Sequence, residues 1–190
     1  MKKKLLILLS VVAFGFSTQS TAKAGGVYEG VAPGSSILGA RIGLVNMVGA
    51  NVTYDYALAR VWKGTFTIGG TVGYMWEGGS TKYIGGMKDK WNWNKLDFKV
   101  RTTYRLNVVV PEWEVYAGVG LGGGVCLYNH KATGGGFPTD MKAESSYGFF
   151  SGAFILGTSY NFTQNIGVNL EFDFGNWEQA WVNLGVNFKF

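Results

Sequence analysis

The chain is short of the residues that usually carry chemistry. Among 190 residues there is one cysteine, Cys126, one histidine, His130, and three prolines. A single thiol excludes an intramolecular disulfide, and Cys126 reads as a small buried side chain, since nothing around it would lower its pKa. A single imidazole excludes a multi-histidine zinc site, so neither metal nor cofactor is expected. Positive charge is also scarcer than it looks. The formal net charge is +5, but Lys2, Lys3, Lys4 and Lys23 carry most of it, and residues 25–190 hold 13 basic against 12 acidic side chains. A nearly neutral chain gives no reason to expect a nucleic-acid partner.

Those four lysines belong to a segment outside the fold. Met1 to Lys4 is basic, Leu5 to Phe16 is mainly apolar, and Ala22-Lys23-Ala24 is a small-x-small cleavage pattern. Residues 1–24 therefore read as a signal peptide, because the apolar run is shorter than the ~20 residues a spanning helix needs. Residues 25–35, which contain Pro33-Gly34, read as a short periplasmic lead-in, and residues 36–190 as one folded unit.

What the chain has in excess is glycine, at 30 residues, and aromatics, at 16%. Without a three-residue glycine period it is not collagen, and with so many aromatics it is not disordered. From Ile37 onward apolar and polar residues alternate, the mark of β-strands with one apolar face. Leu38, Ala40, Ile42 and Leu44 form one such set, and Val52, Tyr54, Tyr56 and Leu58 the next. Further sets are Phe66 to Trp76, Leu96 to Val108, Trp113 to Leu127, and Phe150 to Phe162. The last two are Ile166 to Phe174 and Val182 to Phe190. The spacing predicts eight strands, with tight turns after strands two, four and six and long polar loops at 78–94 and 129–146.

Alternation does not say which face is inside. Side-chain size does, because the polar face is dominated by small residues, among them Gly39, Gly43, Gly69, Gly73, Gly118, Gly120, Gly122, Gly124, Gly157 and Gly167. A lumen of eight strands has room for little else, whereas a water-exposed outer face has no need of them. The bulky face therefore meets lipid, with Tyr74 and Trp76 at one rim and Trp113, Tyr160, Phe162, Phe188 and Phe190 at the other, as interfacial girdles require. A closed barrel also leaves no strand edge unpaired in hydrocarbon. The expected fold is all-β, an eight-stranded antiparallel up-and-down transmembrane β-barrel, with the long loops outside and the short turns periplasmic.

Val115-Tyr116-Ala117-Gly118 and the terminal Asn183-Leu184-Gly185-Val186-Asn187-Phe188-Lys189-Phe190 give the chain its family likeness. It resembles the small eight-stranded outer-membrane barrels of the OmpA/OmpX type. That resemblance implies a place in the bacterial outer membrane, with its lipids and lipopolysaccharide as surroundings. It also implies recognition of Phe188 and Phe190 by the barrel-assembly machinery. Barrels of this kind include adhesins, anchors, narrow channels and a few lipid enzymes, so the resemblance leaves the role open.

By parity Arg41, Lys99, Arg101, Arg105 and Lys189 point inward, together with Asp55, Asp97, Glu114, Glu171 and Asp173. Isolated buried charges are costly, so these groups are expected to pair into a plug; a selective pore would line itself with one sign. The loop at 78–94 carries Lys82, Tyr83, Lys88, Lys90, Trp91 and Trp93, a mixture suited to lipopolysaccharide phosphates, glycans or a protein partner. The leading expectation is a non-enzymatic barrel with a structural or surface-interaction role through its outer loops, its extracellular ligand unidentified. A narrow solute channel is one alternative. A lipid-modifying enzyme using His130, with Asp140 and Ser145 or Ser146, is the other. The run from Gly118 to Gly123 is no dinucleotide site, since a strand continues where a helix would have to follow.

Overall fold

In the structure, a computed structural model, residues 30–45, 48–84, 86–108, 110–134, 141–175 and 182–190 are described. The expected signal peptide and the first part of the lead-in fall outside them. Eight strands are described: β1 (Ser36–Leu44), β2 (Val48–Val61), β3 (Gly64–Lys82), β4 (Lys88–Asn107), β5 (Trp113–Thr133), β6 (Met141–Asn161), β7 (Ile166–Gly175) and β8 (Val182–Lys189). Each pairs antiparallel with its sequence neighbour, and β8 returns to β1 through Ile37↔Lys189 to Leu44↔Val182, closing the barrel. Every side-chain row expected from the alternation keeps its face, including the one on β6, where Phe150, Phe154 and Leu156 are exposed and Ser151, Ala153 and Ser159 are buried.

The barrel is inverted relative to a water-soluble protein. Ile42, Val52, Ile68, Val72, Leu96, Phe98, Val100, Leu121 and Leu184 all present more than two-fifths of their surface outward. Most of the buried side chains, by contrast, are polar or charged. Tight curvature depends on glycine at particular points. A Cβ on Gly122 would run into the Phe98 carbonyl oxygen of β4, and one on Gly157 would overlap the Tyr116 ring, which lies across it.

At one end the connections are short. Trp62 and Lys63 alone join β2 to β3, with Trp62 at a φ of 61°, and Val108 N–H donates to Trp113 O at 2.9 Å across the β4–β5 turn. The lead-in folds onto this same mouth. Val31, Ile37 and Ala57 form a buried cluster there, and Thr65 Oγ1 donates to Val31 O at 2.7 Å.

At the other end the structure corrects the expected loops. Residues 78–94 and 129–146 are mostly strand: β3 runs on to Lys82 and β4 starts at Lys88, while β5 runs on to Thr133 and β6 starts at Met141. The four middle strands have 19 to 21 residues, whereas β1, β7 and β8 have 9, 10 and 8. A transmembrane strand needs about 9–11, so β3 to β6 rise beyond the membrane as a curved four-stranded extension. The polar sequence looked like loop because strands with water on both sides lose the lipid-facing alternation, yet their backbones still pair, as in Lys82↔Lys88 and Ala132↔Met141. Among the described residues no strand pairs with either side of the extension. β2 accompanies β3 only as far as Trp76, and β7 accompanies β6 only from Ala153 onward.

Candidate functional site

Within the barrel the ten inward charged residues are all buried, from Asp55 at 0% to Asp173 at 9% exposed. Seven of them form one chain of contacts. Lys189 of β8 pairs with Glu114 of β5, and Arg105 Nη1 lies 3.6 Å from the same carboxylate. Arg105 also donates to Asp55 Oδ2 at 3.0 Å, while Arg101 Nε lies 3.2 Å from Asp55 Oδ1. Arg101 then meets Glu171 across the lumen in a two-pronged contact at 3.0 and 2.7 Å, and Arg41 reaches that carboxylate at 2.5 Å. Tyr116 donates to Glu171 Oε2 at 2.9 Å, and its ring sits 4.3 Å from the Arg105 guanidinium.

Arg101 is the hub. From β4 it holds carboxylates of β2 and β7, and bidentate guanidinium–carboxylate geometry is the strongest form of such a contact. Nearer the outer end, Lys99 lies 3.2 Å from Asp97, and Asn183 Nδ2 donates to Asp173 Oδ2 at 3.0 Å. Two voids among these groups measure about 20 and 10 Å³, room for a water or so each. Lys95, 7% exposed, joins the inward set. The run of apolar outward residues starts only at Leu96, which hides Lys95 in the sequence; counting back two residues from Asp97 finds it.

Above the membrane the alternation changes meaning. Trp91 and Trp93 keep the inward parity of Asp97 and Lys99, and β5 and β6 bring Tyr128 and Tyr147 to the same concave face. Ring centroids of Trp93 and Tyr128 are 4.3 Å apart, those of Trp93 and Tyr147 6.3 Å, and those of Tyr128 and His130 6.2 Å. Met75 and Lys95 lie beneath, with Lys95 Nζ 6.0 Å from the Trp93 ring. The loop that mixed lysine with tryptophan in sequence is thus two faces of one sheet. Lys88 and Lys90 point away from the rings, to the convex side.

His130 belongs to the concave face, and its acidic neighbour is Asp89 of β4, with Nε2 2.5 Å from Oδ1. Asp140 lies outside the described residues. Ser145 stands opposite Tyr128, and Ser146 opposite Leu127, on the other face. Among the described residues no hydroxyl is hydrogen-bonded to the imidazole, so the serine–histidine arrangement of the enzyme alternative is not seen among them. At the far end Phe188 is half-buried beside β1, and Phe190 is 42% exposed, paired through its backbone with Ser36.

A closed sheet with apolar side chains outside, paired charges inside and aromatics at both rims defines a transmembrane β-barrel of the outer-membrane class. The family model for the outer membrane protein beta-barrel domain matches residues 6–190, and the chain belongs to that family, whose place is the bacterial outer membrane. A search of curated proteins finds no match to the sequence. Among solved structures, Ail, the attachment invasion locus protein of Yersinia pestis in complex with the heparin analogue sucrose octasulfate, is 16% identical. The match covers 84% of this chain and 100% of Ail, with a TM-score of 0.47. A de novo designed transmembrane β-barrel is also 16% identical, over 85% of this chain and 99% of its own, at 0.49. Neisserial surface protein A is 13% identical over 82% and 92%, at 0.36.

Proposed function

We propose that this barrel is a non-enzymatic surface-recognition protein, with a lumen plugged by its own ion pairs and a ligand-contacting surface on the concave side of the extension. The observation that carries the reading is the gathering of Trp91, Trp93, Tyr128 and Tyr147 on one face beyond the membrane, each still partly exposed to water. Rings held on paired strands are fixed before any ligand arrives, which limits the entropy lost on binding. Their negative faces attract the polarised C–H groups of a sugar ring, and the His130–Asp89 pair and Lys95 supply hydrogen-bonding groups beside them. A saccharide is the ligand class this chemistry fits.

The test uses the full barrel in nanodiscs on an array of immobilised neutral oligosaccharides, with the Trp91→Ala/Trp93→Ala double variant as comparison. Wild-type protein is expected to bind a subset of glycans that the folded variant no longer retains. Equal retention by both proteins, or none by the wild type, rejects the reading.

A further inference from the structure

The four rings of the concave face are not equivalent. Trp93, Tyr128 and Tyr147 pack together, with centroids 4.3 and 6.3 Å from that of Trp93. Trp91 stands apart: among the described residues no aromatic ring pairs with its indole. It rests on bare backbone instead. Gly79 of β3 is its partner in register, and a Cβ added there would stand 2.8 to 3.1 Å from Cζ2, Cε2 and Nε1 of the indole. The missing side chain is what lets the ring settle across β3, where it stays half-buried.

Strand periodicity then fixes what stands beside that ring. Glu77 and Thr81 flank Gly79 on the same face of β3, Glu77 opposite Trp93 and Thr81 opposite Asp89. The two carboxylates are in different states. Asp89 Oδ1 lies 2.5 Å from His130 Nε2, whereas half-buried Glu77 has neither an ion pair nor a side-chain hydrogen bond among the described residues. Lys95, the one lysine of this face among those described, lies beneath Trp93 and is 7% exposed.

An indole without a ring partner and a carboxylate without a cation ask for different things from one ligand. The negative face of the indole attracts polarised C–H groups and, more strongly, a cation. The carboxylate takes a charge-assisted hydrogen bond from an ammonium donor, about twice as strong as one from a neutral hydroxyl. A sulfated or carboxylated sugar would instead set its charge against Glu77 and Asp89, the like-charge juxtaposition that turns partners away. Alternate residues of a strand are about 7 Å apart, the reach of a ring substituent and one hydrogen bond from a sugar stacked above Gly79.

We propose that the concave surface selects amino sugars: a saccharide ring stacks on Trp91, and its protonated amine donates to the Glu77 carboxylate. The inference rests on the saccharide reading of this surface and adds the group that chooses among saccharides. Trp93, Tyr128 and Tyr147 form the packed wall beside the site. Gly79 is its positioning residue, holding Trp91 low enough for Glu77 to reach the ligand.

The test measures binding of glucosamine oligomers, their N-acetylated counterparts and their sulfated counterparts to the full barrel in phosphatidylcholine nanodiscs, whose lipid has no net charge to attract the amine. Wild-type protein is expected to prefer the free amine to the N-acetyl form roughly tenfold, the factor that one charge-assisted hydrogen bond at a partly exposed site supplies, and to bind the sulfated form least. In the Glu77→Gln variant, shown by circular dichroism to be folded, the preference for the amine should shrink to about twofold or less. Equal wild-type affinity for the amine and N-acetyl oligomers, tightest binding of the sulfated form, or an undiminished preference in the variant overturns the amino-sugar inference and leaves the saccharide reading standing. Absence of wild-type binding to all three oligomers overturns it as well, and the saccharide reading is then decided by the array of neutral glycans.

Discussion

The membrane-embedded half of β4 and its outer half obey the same alternation and use it in opposite ways. Between Leu96 and Leu106 the outward residues are Leu96, Phe98, Val100, Thr102 and Tyr104, and the inward ones Asp97, Lys99, Arg101, Thr103 and Arg105. From Lys88 to Asn94 the aromatic residues Trp91 and Trp93 point inward, while Lys88, Lys90 and Asn92 point outward. The surroundings explain the inversion. Hydrocarbon outside demands apolar groups there and forces charges into the lumen, where they must pair; headgroups and water outside admit cations, and the concave face becomes the drier side. The phase of the pattern along one uninterrupted strand therefore locates the membrane surface near residue 95.

The comparison is broken most severely inside the barrel. Removing one member of a buried ion pair strands the others, so Arg101→Ala, which leaves Asp55 and Glu171 without their shared partner, is expected to cost about 3–5 kcal/mol. Guanidinium unfolding in detergent or lipid measures it. Single-channel recording should show no steady conductance from the wild type and little from the variant, because Arg41, Arg105 and Tyr116 remain in the lumen. A loss below 1 kcal/mol, or reproducible wild-type channel steps, would remove the plug from the account.

The outward face of β4 gives a sharper comparison within one strand. Val100→Arg, facing lipid at mid-strand, should cost about 2–4 kcal/mol if it lies at the bilayer midplane. Asn92→Arg, on the same face but above the apolar band, should stay within roughly 0.5 kcal/mol of wild type. Equal costs at the two sites would mean that the boundary is misplaced. A smaller loss than at Val100 is expected from Trp93→Ala, which removes contacts with Tyr128 and Tyr147 and should lower stability by about 1–2 kcal/mol. No measurable change would mean that these rings do not support one another.

How far the sequence could be read follows from the same contrast. The eight strands, the inward parity of ten charged residues from Arg41 to Lys189, Lys95 excepted, and the short-turn end were legible, because hydrocarbon imposes a strict period of two. The extension was not, since Trp91 and Trp93 invert the pattern, and a reader tracking apolar-outward residues stops at Leu96. Pairing partners were also out of reach. That Arg101 meets Glu171, seventy residues later, depends on the stagger at which β8 closes on β1. His130 finds Asp89 because β4 and β5 stay in register as far as Lys88↔Thr133.

Closure through β1 and β8 also bears on how quickly the molecule can form. The hairpins β3–β4 and β5–β6 bring together residues close along the chain, and such local contacts form early and fast. The pairing of Ser36–Leu44 with Val182–Lys189 joins opposite ends, and its entropy cost is that of cyclising the whole barrel. Assembly should then be limited by a single late event, the meeting of the outermost strands. Until that meeting β1 and β8 each carry a row of unpaired backbone groups that hydrocarbon does not tolerate, so a half-closed barrel is a brief state in time rather than a resting one.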